Sequence, residues 1–192
     1  SEISVVAVIA GAGLEKVFRS LGTTAVVPGG QTMNPSCADI LQAIDSVPSD
    51  KVIILPNNKN VIPAAKQAAA VAKKKVVVLP TRSIPQGLSA LVGFNCSTDL
   101  DLNLKEMSRS QERVKSIEIT MASRDTRIGT LQIKKGNVIG LIDGDVKVAS
   151  SDLNQTVFNA LESVDAGKAE IISLFYGDQV DGDKAGVLSW AI

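Results

Sequence analysis

The chain contains no histidine among its 192 residues. That removes the commonest general base and the commonest transition-metal ligand, so Ser-His-Asp and Cys-His catalysis and His-based zinc sites are excluded within this chain. Only two cysteines occur, Cys37 and Cys96, and their separation matches no metal-ligand or redox spacing. They read as buried or semi-buried free thiols of a reducing cytosol. Charge of one sign is missing too: 20 basic residues balance 20 acidic ones, which leaves no bulk electrostatic drive toward nucleic acid or an anionic membrane. Apolar runs are too short to span a bilayer and no signal peptide is recognisable, so the expectation is a cytoplasmic protein without stable membrane insertion.

What is present is an ordinary globular composition, 45% hydrophobic and 21% charged, enough for one large domain or two small lobes around a well-buried core. The chain starts without Met and stops at Trp190-Ala191-Ile192 without a terminal cap, the expectation for a fragment of a longer polypeptide.

Residues 3–10 are nearly continuous apolar and β-branched, the pattern of a strand covered on both faces of a parallel sheet. Leu14, Val17, Phe18 and Leu21 then recur at helical spacing up to Gly22. Three more strand-helix units follow: a strand at 24–27 and helix at 35–47, a strand at 51–55 and helix at 61–72, and a strand at 75–79 and helix at 86–92. Strands alternating with helices predict right-handed crossovers and an open parallel sheet flanked by helices. The rhythm changes near residues 93–98, which predicts a lobe boundary at 94/95. Beyond it come a polar helix at 99–114 and short strands at 116–123, 130–134 and 138–142, separated by glycine turns that signal hairpins and a mainly antiparallel α/β lobe. A helix at 152–164, capped by Ser150 or Ser151, leads to a strand at 170–176.

Ligands of open α/β sheets sit beyond the carboxyl ends of the strands, and three polar turns fall there. The first, Pro28-Gly29-Gly30-Gln31-Thr32-Met33-Asn34-Pro35-Ser36, joins strand to helix. Its two glycines let backbone N–H groups approach an anion or carbonyl, and Asn34-Pro35-Ser36 reads as a helix start. The second turn is Asn57-Asn58-Lys59-Asn60. Its amides and ammonium suit a carboxylate, a phosphate or a polar protein surface, or else Asn57 and Asn60 merely cap the turn and the next helix. The third holds Thr81, Arg82 and Ser83, which recognise an anion or simply solvate a loop. Thr120, Arg124 and Asp125 either add to this edge or form an internal ion pair. These turns are expected side by side, with Gln31, Thr32, Asn34, Asn57, Asn58, Lys59 and Arg82 converging.

Other motifs fail. Lys16 stands where the third glycine of a dinucleotide fingerprint belongs, and no glycine-rich turn ends in Gly-Lys-Ser or Gly-Lys-Thr. Asp143-Gly144-Asp145 and the aspartates at 178–183 lack EF-hand spacing and read as turn chemistry.

Gly-Gly-Gln-Thr-Met-Asn-Pro-Ser at 29–36, Leu-Pro-Asn-Asn-Lys-Asn at 55–60, Pro-Thr-Arg-Ser-Ile-Pro-Gln-Gly at 80–87, Met107 and Thr-Met-Ala-Ser-Arg-Asp-Thr at 120–126 run in one order. In that order they resemble the C-terminal domain of the bacterial DAK2-domain proteins, the DAK phosphatase or dihydroxyacetone-kinase-like family, which includes the kinase subunit of bacterial fatty acid kinase. The resemblance covers nearly the whole chain. It implies a DegV-like fold, an N-terminal domain of the same polypeptide that binds ATP and magnesium, and an acyl-carrying DegV-family partner protein. It also implies that this segment holds no cofactor and no catalytic residue of its own.

Three readings are then open: a non-catalytic recognition domain that docks the acyl-carrying partner, a binder of fatty acid or another carboxylate, and an enzyme using Lys59 or Arg82 as an electrostatic clamp. A homodimer is compatible with each. An apolar tunnel opening at Thr32 and Asn57 favours the binder, whereas a filled core with an exposed loop edge favours docking.

Overall fold

The computed structural model describes residues 2–30, 33–177 and 180–192. Gln31 and Thr32 of the expected site, and Asp178, lie outside the described residues. The chain divides into two compact units, Ser1–Val114 and Lys115–Ile192.

In the first unit, β1 (Ile3–Ile9) leads into α1 (Ala12–Ser20), β2 (Ala25–Pro28) into α2 (Cys37–Ser46), β3 (Lys51–Leu55) into α3 (Ile62–Val71), and β4 (Lys75–Val78) into α4 (Ile84–Val92). All pairs are parallel and the sheet runs β2-β1-β3-β4, so the expected parallel sheet with flanking helices is present. Alternate residues of β1 supply two different cores. Ile3, Val5, Ala7 and Ile9 join Phe18 of α1 and Ala90 and Leu91 of α4; Val6 and Val8 join Ile40 and Ile44 of α2 and Ala65 and Ala68 of α3. Helices on both faces explain why β1 carries no polar alternation. Val6, Val8, Ile53 and Ile54 are buried as their sequence predicts. Val77 and Val78 are only half-buried, because β4 is an edge strand.

The next helix, α5 (Leu100–Glu112), packs on α4. Its Leu100 and Met107 enter the same core as Leu91, so the change of rhythm at 94/95 falls inside the first compact unit, 20 residues before its end at Val114. Asp99 caps α5 by accepting from the Leu102 N–H at 2.8 Å. The side chain of α5 that is most thoroughly tied down is buried Asn103, whose Nδ2 donates to the carbonyls of Asn95 and Asp99 at 2.9 and 3.0 Å.

The second unit holds β5 (Ile117–Met121), β6 (Thr126–Ile128), β7 (Leu131–Ile133), β8 (Val138–Ile142) and β9 (Asp145–Ser150). An antiparallel sheet runs β5-β8-β9, and β6 and β7 form a separate antiparallel ribbon. Asp143 and Gly144 turn β8 into β9 with φ of 51° and 89°, the paired positive angles of a tight hairpin. Helix α6 (Leu153–Glu162) packs on this sheet. Its cap is Asp152, which accepts from Gln155 N–H at 2.8 Å, while Ser150 Oγ accepts from Asp152 N–H; the expected Ser150 or Ser151 cap is thus displaced by the residue with the charge.

The largest departure is at 170–176, which forms no strand. β-rich composition makes a strand only where a partner edge is available, and among the described residues none pairs with it. Ile171 is 82% exposed, and Leu174, Phe175 and Tyr176 are exposed as well. The chain closes with α7 (Gly182–Ala191), whose Trp190 is 93% exposed. Among the described residues no helix is long and apolar enough to cross a membrane. Cys37 is half-buried, and Cys96 is exposed rather than semi-buried.

Candidate functional site: the carboxyl edge of the parallel sheet

Parallel strands deliver every strand-to-helix turn of the first unit to one end of the sheet. The strand order, however, inserts the turn after β1 between the glycine turn after β2 and the asparagine turn after β3. The three expected turns are therefore not consecutive neighbours: Ala10, Gly11, Ala12 and Gly13, exposed after β1, belong to the same edge. The reversal of strand order around β1 was the signal that would have included them, since ligands of open sheets gather where the order reverses.

The glycine turn does not act as a donor cradle. Gly29 N–H donates to Ile9 O at 3.1 Å and Gly30 N–H to Met33 O at 2.9 Å, so both amides are engaged inside the fold. Neither glycine has a positive φ, since the positive-φ glycines are Gly11, Gly22, Gly129, Gly136 and Gly144. Their reason is space. A Cβ on Gly29 would lie 2.7 Å from Pro35 Cδ, and one on Gly30 would lie 2.9 Å from Ala10 Cβ, closer than carbon atoms approach.

The helix start at Asn34-Pro35-Ser36 is present as a complete capping box. Ser36 Oγ accepts from Asp39 N–H at 3.2 Å and Asp39 Oδ2 accepts from Ser36 N–H at 2.8 Å. Hydrogen bonds from the Ser36 hydroxyl and then its backbone N–H hold the Asp39 carboxyl below its ordinary value. Asn34 itself is exposed beside this cap.

Asn57 is the residue whose place the sequence least revealed. It is 6% exposed and takes the left-handed conformation at φ 54°, which Asn tolerates better than most residues. Its Nδ2 donates to Val8 O at 3.1 Å, its backbone N–H donates to Thr81 Oγ1 at 3.0 Å, and Thr81 Oγ1 donates back to Asn57 Oδ1 at 2.9 Å. Thr81 is 0% exposed. The amide also fills the space over Gly87, where an added Cβ would meet Asn57 Oδ1 at 2.1 Å. Asn57 and Thr81 thus plug the crevice between β1 and β3.

The remaining residues face outward. Asn58 is half-buried and its Oδ1 accepts from Asn60 N–H at 2.8 Å, while Lys59, Asn60 and Arg82 are exposed. Arg82 N–H is fixed by Gln86 Oε1 at 2.8 Å, and Ser83 caps α4. Arg124 lies in the second unit and is exposed; the neighbouring Asp125 carboxylate accepts from Lys135 N–H at 2.7 Å. Two clefts lie elsewhere. One of about 390 Å³ is lined by Gly93, Asn95, Thr98, Leu102, Asn103 and Glu106; the other, about 500 Å³, is lined in the second unit by Phe158, Leu161, Ile172 and Ile192, with Glu162, Asp165, Ala166 and Gly167.

ATP and magnesium, which the resemblance places elsewhere in the polypeptide, find no fitting residues at this edge. The glycine amides are engaged, and among the described residues no group of three or more Cys, Asp or Glu side chains is placed to hold a metal.

A covered parallel sheet with a polar carboxyl edge defines a class of α/β domains in which the turns carry recognition. The chain belongs to one family within it: the family model for the C-terminal domain of FakA-like fatty acid kinase proteins matches residues 4–191. It is similar to uncharacterised proteins of Staphylococcus aureus strains MRSA252, USA300 and NCTC 8325, each 39% identical over 180 residues, covering 94% of this chain and 33% of each relative. The chain spans about one third of the length of the curated relatives it matches.

Proposed function

We propose that this domain is the non-catalytic recognition part of a fatty acid kinase-like protein, docking an acyl-carrying DegV-family partner so that an ATP-binding domain of the same polypeptide phosphorylates the bound acyl group. Family membership supports the kinase context. The observation that carries the docking role is the division of labour at the carboxyl edge. Asn57 and Thr81 close the crevice from inside, leaving Asn34, Lys59, Asn60 and Arg82 exposed around it. Exposed amides and two cations suit a polar, acidic protein surface. With histidine missing from the sequence, proton transfer and the ATP-bound magnesium fall to the other domain. The DegV-like character of the fold belongs to this reading too, as does a homodimer.

Calorimetry with an oleate-loaded DegV-family protein tests it on the chain and on Lys59→Glu/Arg82→Glu. Charge reversal is expected to weaken binding at least about tenfold, since a lost charged contact costs roughly 1.5–3 kcal/mol. Unfolding free energy should stay within about 0.5 kcal/mol, as for exposed loop positions. Undiminished binding by the reversed variant refutes the docking edge. A second reading, direct binding of a fatty acid, is favoured by the apolar cleft around Phe158, Leu161 and Ile172, whose volume falls in the range of small-molecule sites. Free oleate titrated into the chain alone distinguishes it.

A further inference from the structure

The asparagine turn and the turn after β4 are 24 residues apart in sequence, yet one pair of side chains ties them together. Thr81 Oγ1 is at once acceptor for Asn57 N–H and donor to Asn57 Oδ1, while Asn57 Nδ2 reaches across to Val8 O on β1. All of these atoms belong to residues buried in the fold, so no solvent replaces a lost partner without rearrangement. Gly87 completes the arrangement, because any larger residue on α4 would push the amide out of place. Immediately outside the latch, Asn60 N–H is held by Asn58 Oδ1 at 2.8 Å and Val61 N–H by Asn58 O at 3.0 Å. On the other side, Arg82 N–H is held by Gln86 Oε1.

We infer that Asn57 is a positioning residue: with Thr81 and Gly87 it locks the turn at 58–60 to the turn at 81–83, so that Lys59 and Arg82 are presented from one preformed edge. This inference rests on the docking reading only for what the edge is presented to. Positive φ at a non-glycine residue, together with a buried polar pair, is a costly arrangement that persists where the surroundings determine it completely. Its benefit is pre-organisation: a partner meeting an ordered edge does not have to order it.

Amide hydrogen exchange on the chain and on Thr81→Val, Thr81→Ser and Gly87→Ala tests the latch directly. Thr81→Val keeps the shape and removes the hydroxyl, and is expected to speed exchange of the Asn60 and Val61 amides by about tenfold. Gly87→Ala, attacking the amide from the helix side, should reproduce that change, and Thr81→Ser should retain wild-type exchange. Unchanged exchange at Asn60 and Val61 in Thr81→Val overturns the inference. So does equal acceleration through β1 and β3, which would make the pair ordinary core. Should Gly87→Ala fail to fold, the Thr81→Val and Thr81→Ser comparison decides alone. Calorimetry with the oleate-loaded DegV-family protein then separates the two ideas. Binding lost in Thr81→Val and retained in Thr81→Ser supports presentation, and equal binding by both refutes it. If the unaltered chain does not bind that protein, the docking reading fails while the exchange data still judge the latch.

Discussion

The two units solve the same problem with unequal resources. In the first, a four-stranded parallel sheet has helices on both faces. The largest fully buried side chains, among them Phe18, Ile40, Ile44, Ile53, Ile54 and Met107, all belong to it. In the second, a three-stranded sheet is packed by α6, and its buried apolar set is short and small: Ala122, Ile133, Val148, Val157, Ala160 and Ala185. Large apolar side chains, among them Ile171, Phe175, Val187 and Trp190, remain exposed there instead. A sheet covered twice buries consecutive residues, whereas a sheet covered once buries every second one. The first unit should therefore respond sharply to truncation in its core and the second more softly.

Phe18→Ala puts the comparison under the greatest strain. Phe18 is 0% exposed, and its loss is expected to lower the unfolding free energy by about 3–5 kcal/mol, as for buried aromatic truncations, read by urea titration. Val148→Ala, at 8% exposure in the second unit, should cost roughly 1–2 kcal/mol by the removed methyl groups and a small cavity. Equal losses would erase the distinction between the units.

A smaller effect is set by pH. Since the folded Asp39 carboxyl titrates below its ordinary value, through the Ser36 hydroxyl and then the Ser36 N–H, its contribution to stability is fully present above the ordinary aspartate value. That contribution is lost as pH falls from there through the lowered folded value. Asp39→Asn should flatten this part of the acid limb, measured as Tm against pH; an unchanged acid limb would mean that the capping box is not populated. Smallest of all is Trp190→Ala. At 93% exposure it should change stability by no more than about 0.5 kcal/mol, and the single tryptophan of the chain should emit like a solvated indole and be readily quenched by iodide. Blue-shifted, protected emission would show that the second unit buries more than its own side chains account for.

The parallel sheet was legible because covered strands read as unbroken apolar runs, and β1, β3 and the helices between them follow that signal closely. Its edge was less legible. Glycine in a turn has two physical meanings, freedom of φ and absence of a Cβ; Gly29 and Gly30 carry the second, and sequence does not separate them. Asn57 was expected to offer its amide outward, but burial depends on what packs above it, here Gly87 from a helix 30 residues later. The run at 170–176 was misread because β propensity records the suitability of a strand, never the presence of its neighbour. The helix cap at Asp152 instead of Ser150 or Ser151 shows the ordinary limit of boundary placement.

The central position of β1 also sets a timetable. Val6 pairs with Ile54, 48 residues further along, so a growing chain makes its most apolar strand long before the partner that covers one side of it. At about 5–20 residues per second of synthesis, that strand waits roughly 2–10 seconds with only β2 available beside it. For that interval the nascent polypeptide displays an adhesive ribbon, and the ribosome exit and the chaperones near it are where the first half of this sheet is kept from the wrong company.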